Sequence, residues 1–179
     1  MQLDSQHLTL VPLGTRYLES AHDYAGDPEN TRYMFHLPNH DLAETKAFLT
    51  AVENEWQKAE PEFYEFAVLL KEEDGSTSHI GAVSSNRTDE ADVYEMGWII
   101  NRRYWGHGYA YEAAALVLDF SFQTLGAKRI IAHCDLENER SAHLMRKLGM
   151  QEISRDGRRR NRSADRDSFE MLFAIEKKA

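Results

Sequence analysis

Residues 102–114, RRYWGHGYAYEAA, place two arginines and two closely spaced glycines in front of a helix-forming run. An apolar stretch with strand character precedes them, so the segment predicts a turn from a strand into a helix. First-turn helix amides lack internal partners, and the helix dipole favours negative charge there. Glycine lets a backbone approach its ligand closely. The pattern therefore indicates a phosphate-binding loop, with Arg102 and Arg103 adding charge.

Three kinds of phosphate loop can be compared with this segment. A dinucleotide fingerprint needs a third glycine, but position 111 is Tyr, and a nucleotide P-loop needs Gly-Lys-Ser/Thr, which is absent. The spacing Arg/Gln-x-x-Gly-x-Gly/Ala of the coenzyme A pyrophosphate loop is matched by Arg103, Gly106 and Gly108. A tight turn that needs glycine for geometry alone would look similar, so the spacing leaves both interpretations open.

A second candidate segment is residues 138–150, NERSAHLMRKLGM. Asn138 is a strong N-cap residue, so a helix is expected to begin there. Apolar residues recur along one face, and Gly149 closes the helix. A helix that only packs would show the same pattern, so packing and binding roles both remain open.

The elements that position these motifs follow from hydrophobic periodicity and turn residues. Seven strands are expected, at residues 7–13, 63–70, 79–85, 92–100, 128–135, 150–154 and 168–176. Four helices are expected, at 15–26, from a cap at Asp41 to about 59, from the glycine motif to Leu125, and from Asn138 to Gly149. Antiparallel hairpins come first and a β-α-β crossover follows, which predicts a mixed-sheet α/β or α+β domain.

Composition narrows the class of protein. The 179 residues, 42% of them hydrophobic, suit one domain spanning 1–179. No long apolar run and no signal peptide are recognised, and Cys134 is the only cysteine. We therefore expect a cytoplasmic protein with no membrane contact, no disulfide and no metal site.

The net charge of −9 argues against direct nucleic-acid binding. The charge is uneven, because residues 1–100 carry −13 and residues 101–179 carry +4. An anionic ligand would be drawn to the second half and a cationic one to the first, unless the asymmetry belongs only to a solvated surface.

The sequence resembles the GNAT superfamily of acyl-CoA-dependent N-acetyltransferases, and within it the branch that acetylates ribosomal-protein N-termini. The resemblance covers nearly the whole chain, through the segments LTLVPL, DPENTRYM, EMGWIINRRYWGHGYAYEAA, NERSAHLMRKLGM and FEMLFAI. It implies a GNAT-type fold, a central mixed and mostly antiparallel sheet of about seven strands flanked by about four helices. The central parallel strands of such a sheet splay apart.

The resemblance also implies acetyl-CoA as co-substrate. The backbone of Trp98, Ile99 and Ile100 would pair with the pantetheine arm in the gap between the splayed strands. The pyrophosphate loop would comprise Arg103, Trp105, Gly106, His107, Gly108, Tyr109 and Ala110. Asn138 and Ser141 would be further cofactor contacts. His107 departs from the family, which often has Lys or Arg there.

Catalytic roles implied by the resemblance fall on two residues. Ser141 would protonate or hydrogen-bond the leaving thiolate, because the Tyr that many relatives use is missing after Tyr111. Glu95, on the strand entering the loop, would take the amine's proton directly or through water. Solvent exposure or pairing with an arginine is the alternative for Glu95, and His133 is a second candidate base. Cys134 is interpreted as a strand residue and not a nucleophile.

The acceptor is a primary amine, and its identity stays open. The arginine-rich segment 155–166 is either a solvated hairpin loop or a gate that grips an acidic protein segment or nearby ribosomal RNA. The segment RYMFHLP, residues 32–38, could wall the site with aromatics. We expect a protein N-terminal α-amine, with a small amine such as a polyamine, amino acid or drug as the alternative. A non-catalytic CoA-binding module is a further alternative, and the resemblance implies a homodimer as a partner state.

Overall fold

The computed structural model describes residues 1–177. Its strands are β1 (Leu3–Asp4), β2 (Leu8–Pro12), β3 (Phe63–Lys71), β4 (Thr77–Arg87), β5 (Val93–Ile100), β6 (Arg129–Asp135), β7 (Gln151–Arg159) and β8 (Ser168–Glu176). Its α-helices are α1 (Leu18–Ala25), α2 (Leu42–Trp56), α3 (Tyr109–Gln123) and α4 (Glu139–Lys147). Short 3-10 turns occupy Thr15–Tyr17 and Arg102–Tyr104. None of the helices within residues 1–177 is both long and apolar enough to cross a membrane.

All strands belong to one sheet, in the spatial order β1-β2-β3-β4-β5-β6-β8-β7. Every neighbouring pair is antiparallel except β5 and β6. That parallel pair is bonded only where Val93–Glu95 faces Arg129–Ile131, and beyond Glu95 the two strands separate. The mixed, mostly antiparallel sheet and its splayed parallel pair are therefore confirmed.

Both faces of the sheet are covered, because successive side chains alternate between them. Helices α3 and α4 cover one face, where Phe66, Met96, Val117 and Phe173 are part of the larger core cluster. Helices α1 and α2 cover part of the other face in a smaller cluster that includes Leu49 and Ala67. Burial of these apolar side chains holds the sheet between two helical layers.

Capping explains where α2 begins. Asp41 Oδ1 accepts the Glu44 N–H at 2.9 Å, as the capping-box pattern predicts. The Glu44 carboxylate accepts from the N–H of His40, not from that of Asp41. The reciprocal bond of the box is therefore displaced by one residue.

Two elements differ from the sequence prediction. Strand β1 was not predicted, because two residues show no periodicity. Strand β7 extends to Arg159, so five residues assigned to the arginine-rich loop are strand, and that assignment was wrong. β7 lies at the edge of the sheet, where exposed polar side chains hide the alternation that marks a buried strand.

Candidate active site

The gap between β5 and β6 lies beside the beginnings of two helices. α3 follows β5 after the glycine loop, and α4 follows β6 after three residues. Because β5 and β6 are parallel, both connections leave the same end of the sheet. The two motifs singled out in the sequence are thus brought to the rim of one gap.

Gly106 and Gly108 both have a φ of +85°, a conformation that side chains rarely adopt. A Cβ at either position would meet nothing within 4 Å, so the backbone here borders open space. Among residues 1–177 no acceptor is found for the N–H groups of residues 106–111. Six consecutive free amides at a helix N-terminus fit an anionic pyrophosphate.

The run of free amides begins and ends one residue later than the sequence predicted. The Trp105 N–H donates to the Arg102 carbonyl at 3.2 Å, so its amide is engaged inside the turn. The Tyr111 N–H, which was not anticipated, joins the run because it is the third residue of α3. The free amides therefore run from residue 106 to residue 111, where the sequence predicted 105 to 110.

The two arginines before the loop face carboxylates near the end of α1. The Arg102 guanidinium pairs with Asp27, and its N–H donates to Asn30 Oδ1 at 2.6 Å. The charge that Arg102 was expected to add to the loop is therefore paired with a carboxylate of the chain itself. Arg103 is 71% exposed at its side chain and lies 3.5 Å from Asp23, so it stays available.

Aromatic residues fix the loop. The Trp105 indole donates to the Ile100 carbonyl at 2.8 Å, and the Arg140 guanidinium of α4 lies 4.6 Å from the centre of the Trp105 ring. His107 stacks on Tyr109 with ring centres 5.6 Å apart, and its Nδ1 lies 3.0 Å from the Trp105 carbonyl. The loop and the start of α4 are therefore tied together across the gap.

Backbone pairing distinguishes three neighbouring residues of β5. The Asn101 N–H donates to the Ile80 carbonyl, and the Thr88 N–H donates to the Val93 carbonyl. Because hydrogen-bonded pairs alternate along an antiparallel ladder, the odd-numbered residues of β5 direct their backbone groups to β4. Ile99 is therefore engaged with β4. Trp98 and Ile100 direct theirs towards the gap. The pairing favours these two over Ile99 as contacts of a ligand arm.

Asn138 and Ser141 lie at the first turn of α4. The Asn138 side-chain oxygen accepts the Ser141 N–H at 3.2 Å, which confirms the predicted cap. No hydrogen-bond partner within residues 1–177 is found for the Asn138 amide nitrogen or the Ser141 hydroxyl. Both groups are free to meet a ligand at the end of the gap.

Glu95 and His133 form one pair. His133 Nδ1 lies 2.9 Å from Glu95 Oε1, and the two side chains are 28% and 43% exposed. The hydrogen bond that Glu95 accepts raises the pKa of His133 against the opposing effect of burial. Glu95 is therefore neither isolated in solvent nor paired with an arginine.

Cys134, next to His133, is buried and turned to the other face. Burial raises the pKa of its thiol to about 11, which suppresses the thiolate. The interpretation of Cys134 as a strand residue agrees with this environment.

Sequence reasoning missed Glu65 on β3. It pairs in register with Ser84 of β4, which pairs with Gly97 of β5. Its side chain therefore lies on the face that carries Glu95 and His133. Burial raises the Glu65 pKa to about 8, and hydrogen bonding from Ser84 opposes the rise. In the sequence this residue looks like an ordinary solvent-facing position of a strand.

The arginine-rich segment is partnered within the chain. Arg155 pairs with Glu152, Arg159 with Glu170, Arg160 with Asp167, Arg162 with Glu44 and Arg166 with Glu137, while Arg158 lies over the Phe169 ring. Arg159 also donates to the Tyr33 carbonyl and Arg162 to the His36 carbonyl, at 3.1 and 3.0 Å. The segment thus holds the aromatic stretch 32–38, which favours a structural role over a grip on an acidic protein.

An open mixed sheet with a parted parallel pair, and a loop of free amides that opens a helix beside the gap, is the architecture expected of a GNAT acetyltransferase. The family model for the acetyltransferase (GNAT) domain matches residues 7–151. YnaD of Bacillus subtilis (strain 168), an uncharacterised N-acetyltransferase, is 31% identical over 150 residues, 84% of this chain and 82% of that protein. The chain belongs to the GNAT acetyltransferase family.

Solved structures share the fold. The spermidine N-acetyltransferase from Vibrio cholerae, in complex with CoA and spermine, has a TM-score of 0.79 at 21% identity and covers 96% of each chain. A structure from Vibrio cholerae assigned as a ribosomal-protein-serine acetyltransferase has a TM-score of 0.76 at 22% identity, covering 99% of this chain and 98% of that one. At these identities the likeness extends to the fold alone.

Proposed function

We propose that this acetyltransferase moves the acetyl group of acetyl-CoA onto a primary amine by direct attack. The observation that carries the proposal is the run of free amides at 106–111, at one end of a gap bordered by Ser141 and by the Glu95–His133 pair. A phosphate cradle alone would suit many ligands. Its position beside a parted strand pair and a hydrogen-bonded carboxylate suits acyl transfer to an amine.

The residues that would hold acetyl-CoA follow from this geometry. The amides of 106–111 would bind the pyrophosphate, and Arg103 would add charge beside it. The outward Trp98 carbonyl and Ile100 N–H would pair with the pantetheine arm, and the free Asn138 amide would donate to it. When bound, acetyl-CoA supplies an acetyl group activated as a thioester.

Proton removal is assigned to Glu95. An amine attacks only when neutral, and an α-amine or a lysine-like amine has a pKa of about 7.7–10.4. Glu95 would accept the proton directly or through water. The hydrogen bond to His133 would hold the Glu95 carboxylate at the point where β5 and β6 separate.

The negative charge that develops on the oxygen and the sulfur of the thioester also needs hydrogen-bond donors. The Trp98 N–H points to the gap and would donate to the carbonyl oxygen as negative charge grows there. The Ser141 hydroxyl would donate to the departing sulfur. Trp98 and Glu95 both lie on β5 and Ser141 lies in α4, so the two donors and the acceptor would border one gap from two elements.

The acceptor amine is the finer part of the proposal. A protein N-terminal α-amine is one candidate. One structure with the same fold is assigned as a ribosomal-protein-serine acetyltransferase. A small cationic amine is the second, and another neighbour is a spermidine acetyltransferase. Internal pairing of the arginines removes the sequence argument for an acidic protein segment, while the carboxylates on the sheet face favour a cationic acceptor.

A thiol-release assay tests the proposal. Purified protein and acetyl-CoA are incubated with N-terminal peptides beginning with Ala or Ser and with small amines, and the acetylated nitrogen is located by mass spectrometry. We expect acceptor-dependent thiol release with acetylation of a primary nitrogen. CoA binding by calorimetry without release for any amine would leave a non-catalytic CoA-binding module and contradict the proposal.

A further inference from the structure

His107 carries the only side chain among the three residues that open the run of free amides. Gly106 and Gly108 flank it, and a Cβ at either position would meet nothing within 4 Å. The imidazole is exposed. Together with Gly108 and Tyr111 it lines a cavity of about 510 Å³. A ligand that binds the free amides therefore borders the same space as this ring.

Two carbonyl oxygens fix the tautomer of His107. Its Nδ1 lies 3.0 Å from the Trp105 carbonyl oxygen and 3.3 Å from that of Tyr104. A carbonyl oxygen only accepts hydrogen bonds, so Nδ1 carries the hydrogen. In the neutral ring Nε2 then holds a lone pair, and no partner for Nε2 is found within residues 1–177. Neutral His107 therefore presents an acceptor, whereas binding a phosphate oxygen needs a donor.

The Tyr109 ring supports the protonated form of His107. The two ring planes are inclined by 11° and their centres are 5.6 Å apart. The face of an aromatic ring carries negative potential, which stabilises a cation placed above it. Protonation also turns Nε2 from an acceptor into a donor, while Nδ1 keeps its bond to Trp105. One added proton therefore makes the ring a phosphate ligand without moving it.

Other charged groups surround the ring without pairing with it. The titratable and charged groups that line the cavity or flank the loop are His7 from the turn between β1 and β2, Tyr109, Tyr111, Glu112 and Asp119 from α3, Lys147 and Arg140 from α4, and Arg103. The Glu112 carboxylate is engaged by His7, whose N–H and Nδ1 lie 2.8 and 2.9 Å from its oxygens. Lys147 Nζ lies 4.2 Å from the centre of the Tyr111 ring. In the described part of the chain no ion pair includes His107, so a bound phosphate would decide its protonation.

We propose that His107 takes up a proton when a phosphate group of CoA binds beside the loop, so that affinity for CoA falls as the pH rises. The inference rests on the proposed function and adds regulation of its cofactor site by pH. The proton comes from solvent, and Nε2–H donates it in a charge-assisted hydrogen bond to a phosphate oxygen.

The direction of the pH effect follows from linkage. A histidine beside a phosphate holds its proton more tightly than one without a negative neighbour. The extra affinity is therefore complete below the ordinary histidine pKa of about 6.5 and is lost as the pH rises above it.

Calorimetric titration of CoA in two buffers with different ionisation enthalpies measures proton uptake directly. His107→Asn removes the titrating nitrogen, and its side-chain amide can still donate to the Trp105 carbonyl in place of Nδ1. His40→Asn, at an exposed position before α2, is the control. A histidine with an ordinary pKa is mostly neutral at about pH 7.5, so wild type and His40→Asn should take up about half a proton more per CoA than His107→Asn. Equal uptake by the three proteins would overturn the inference.

Affinity measured across pH gives a second readout. From about pH 8.5 down to about pH 6, CoA affinity should rise about tenfold more in wild type than in His107→Asn. His107→Arg is charged at every pH, so at about pH 8.5 it should bind CoA more tightly than His107→Asn. A purely structural role for the ring would lower affinity equally at every pH. Affinity curves of wild type and His107→Asn that run parallel would reject the inference.

Dephospho-CoA identifies the phosphate concerned. It lacks the 3′-phosphate, which itself titrates at about pH 6. A difference in proton uptake between wild type and His107→Asn that persists with dephospho-CoA assigns the bond to the pyrophosphate, and one seen only with CoA assigns it to the 3′-phosphate. CoA binding without acetylation of any amine would contradict the proposed function and leave this inference standing. CoA binding with equal uptake in all variants rejects this inference alone, and absence of CoA binding by wild type would overturn both.

Discussion

His133 Nδ1 lies 2.9 Å from Glu95 Oε1, at the point where β5 and β6 stop pairing. The sequence offered these residues as competing candidates for the base. In the structure they form one hydrogen-bonded pair, and the hydrogen bond that Glu95 accepts raises the pKa of His133. Changing Glu95 must therefore alter the protonation of His133 as well.

Glu95→Gln removes a proton acceptor and keeps the size of the side chain. We expect kcat/KM to fall about 10²–10⁴-fold, most at low pH where the amine is charged, and to recover partly at high pH. Because the mutation removes the group that raises the His133 pKa, NMR should show His133 titrating at a lower pH. Glu90→Gln, in the exposed turn before β5, is the control.

A pH–rate profile of Glu95→Gln parallel to wild type would exclude Glu95 as the base. His133→Asn would then be the next variant. Structural damage would instead depress the rate equally at every pH.

Gly108→Val should abolish CoA binding. A β-branched residue at a φ of +85° costs about 1–2 kcal/mol or more and places a side chain where the free amides meet their ligand. Gly75→Val is the matched control, because Gly75 has a φ of +83° and an equally open Cβ position in a distant hairpin turn. Calorimetry should show lost affinity in the first variant and normal affinity in the second. Normal affinity in both would place the cradle elsewhere.

Ser141→Ala should lower kcat about 10²-fold with little change in CoA affinity, because the hydroxyl acts only as the sulfur departs. Stopped-flow thiol release measures this step. Ser163→Ala, on the exposed segment between β7 and β8, serves as the control. A Ser141→Ala variant with wild-type kcat would remove the hydroxyl from the mechanism.

Glu65 should make folding stability depend on pH. Its folded pKa of about 8 lies above the ordinary carboxyl value of 4.5, so the folded state holds its proton longer than the unfolded state. Stability contributed by the neutral acid is therefore complete below pH 4.5, falls as pH rises towards 8 and then levels off. Tyr24, which faces it, has a raised pKa and stays protonated in this window.

Glu65→Gln should remove this slope and exceed wild type in stability by on the order of 1–3 kcal/mol above pH 8, allowing for residual exposure. Urea unfolding of both proteins across the window gives the comparison. Parallel curves of unfolding free energy against pH would show that the environment of Glu65 does not raise its pKa.

Arg159→Met should destabilise the fold by about 3–5 kcal/mol, because it leaves buried Asp135 and partly buried Glu170 without their cation. Arg160→Met removes an exposed pair with Asp167 and should cost less than about 1 kcal/mol. Thermal unfolding of the two variants measures the difference. Equal decreases in Tm for the two variants would show that the buried Arg159 ion pairs stabilise the fold no more than the exposed Arg160 pair.

Local signals predicted much of this molecule. The glycines of the loop, the Asp41 and Asn138 caps and the alternating strands are set by residues close in the chain, and each is confirmed. Contacts between distant residues were not predictable in that way. Glu95 and His133 are 38 positions apart, and whether a strand carboxylate such as Glu65 meets solvent or is buried depends on how the strands are ordered.

The short pairing of Val93–Glu95 with Arg129–Ile131 has a mechanical consequence. Five strands lie on one side of this seam and three on the other, and only three residue pairs join them through strand hydrogen bonds. Helix α3, which contacts both β5 and β6, spans the seam on one face. A ligand that bonds to both strands beyond Glu95 would lengthen this short junction, so occupancy of the gap should raise the resistance of the sheet to unfolding.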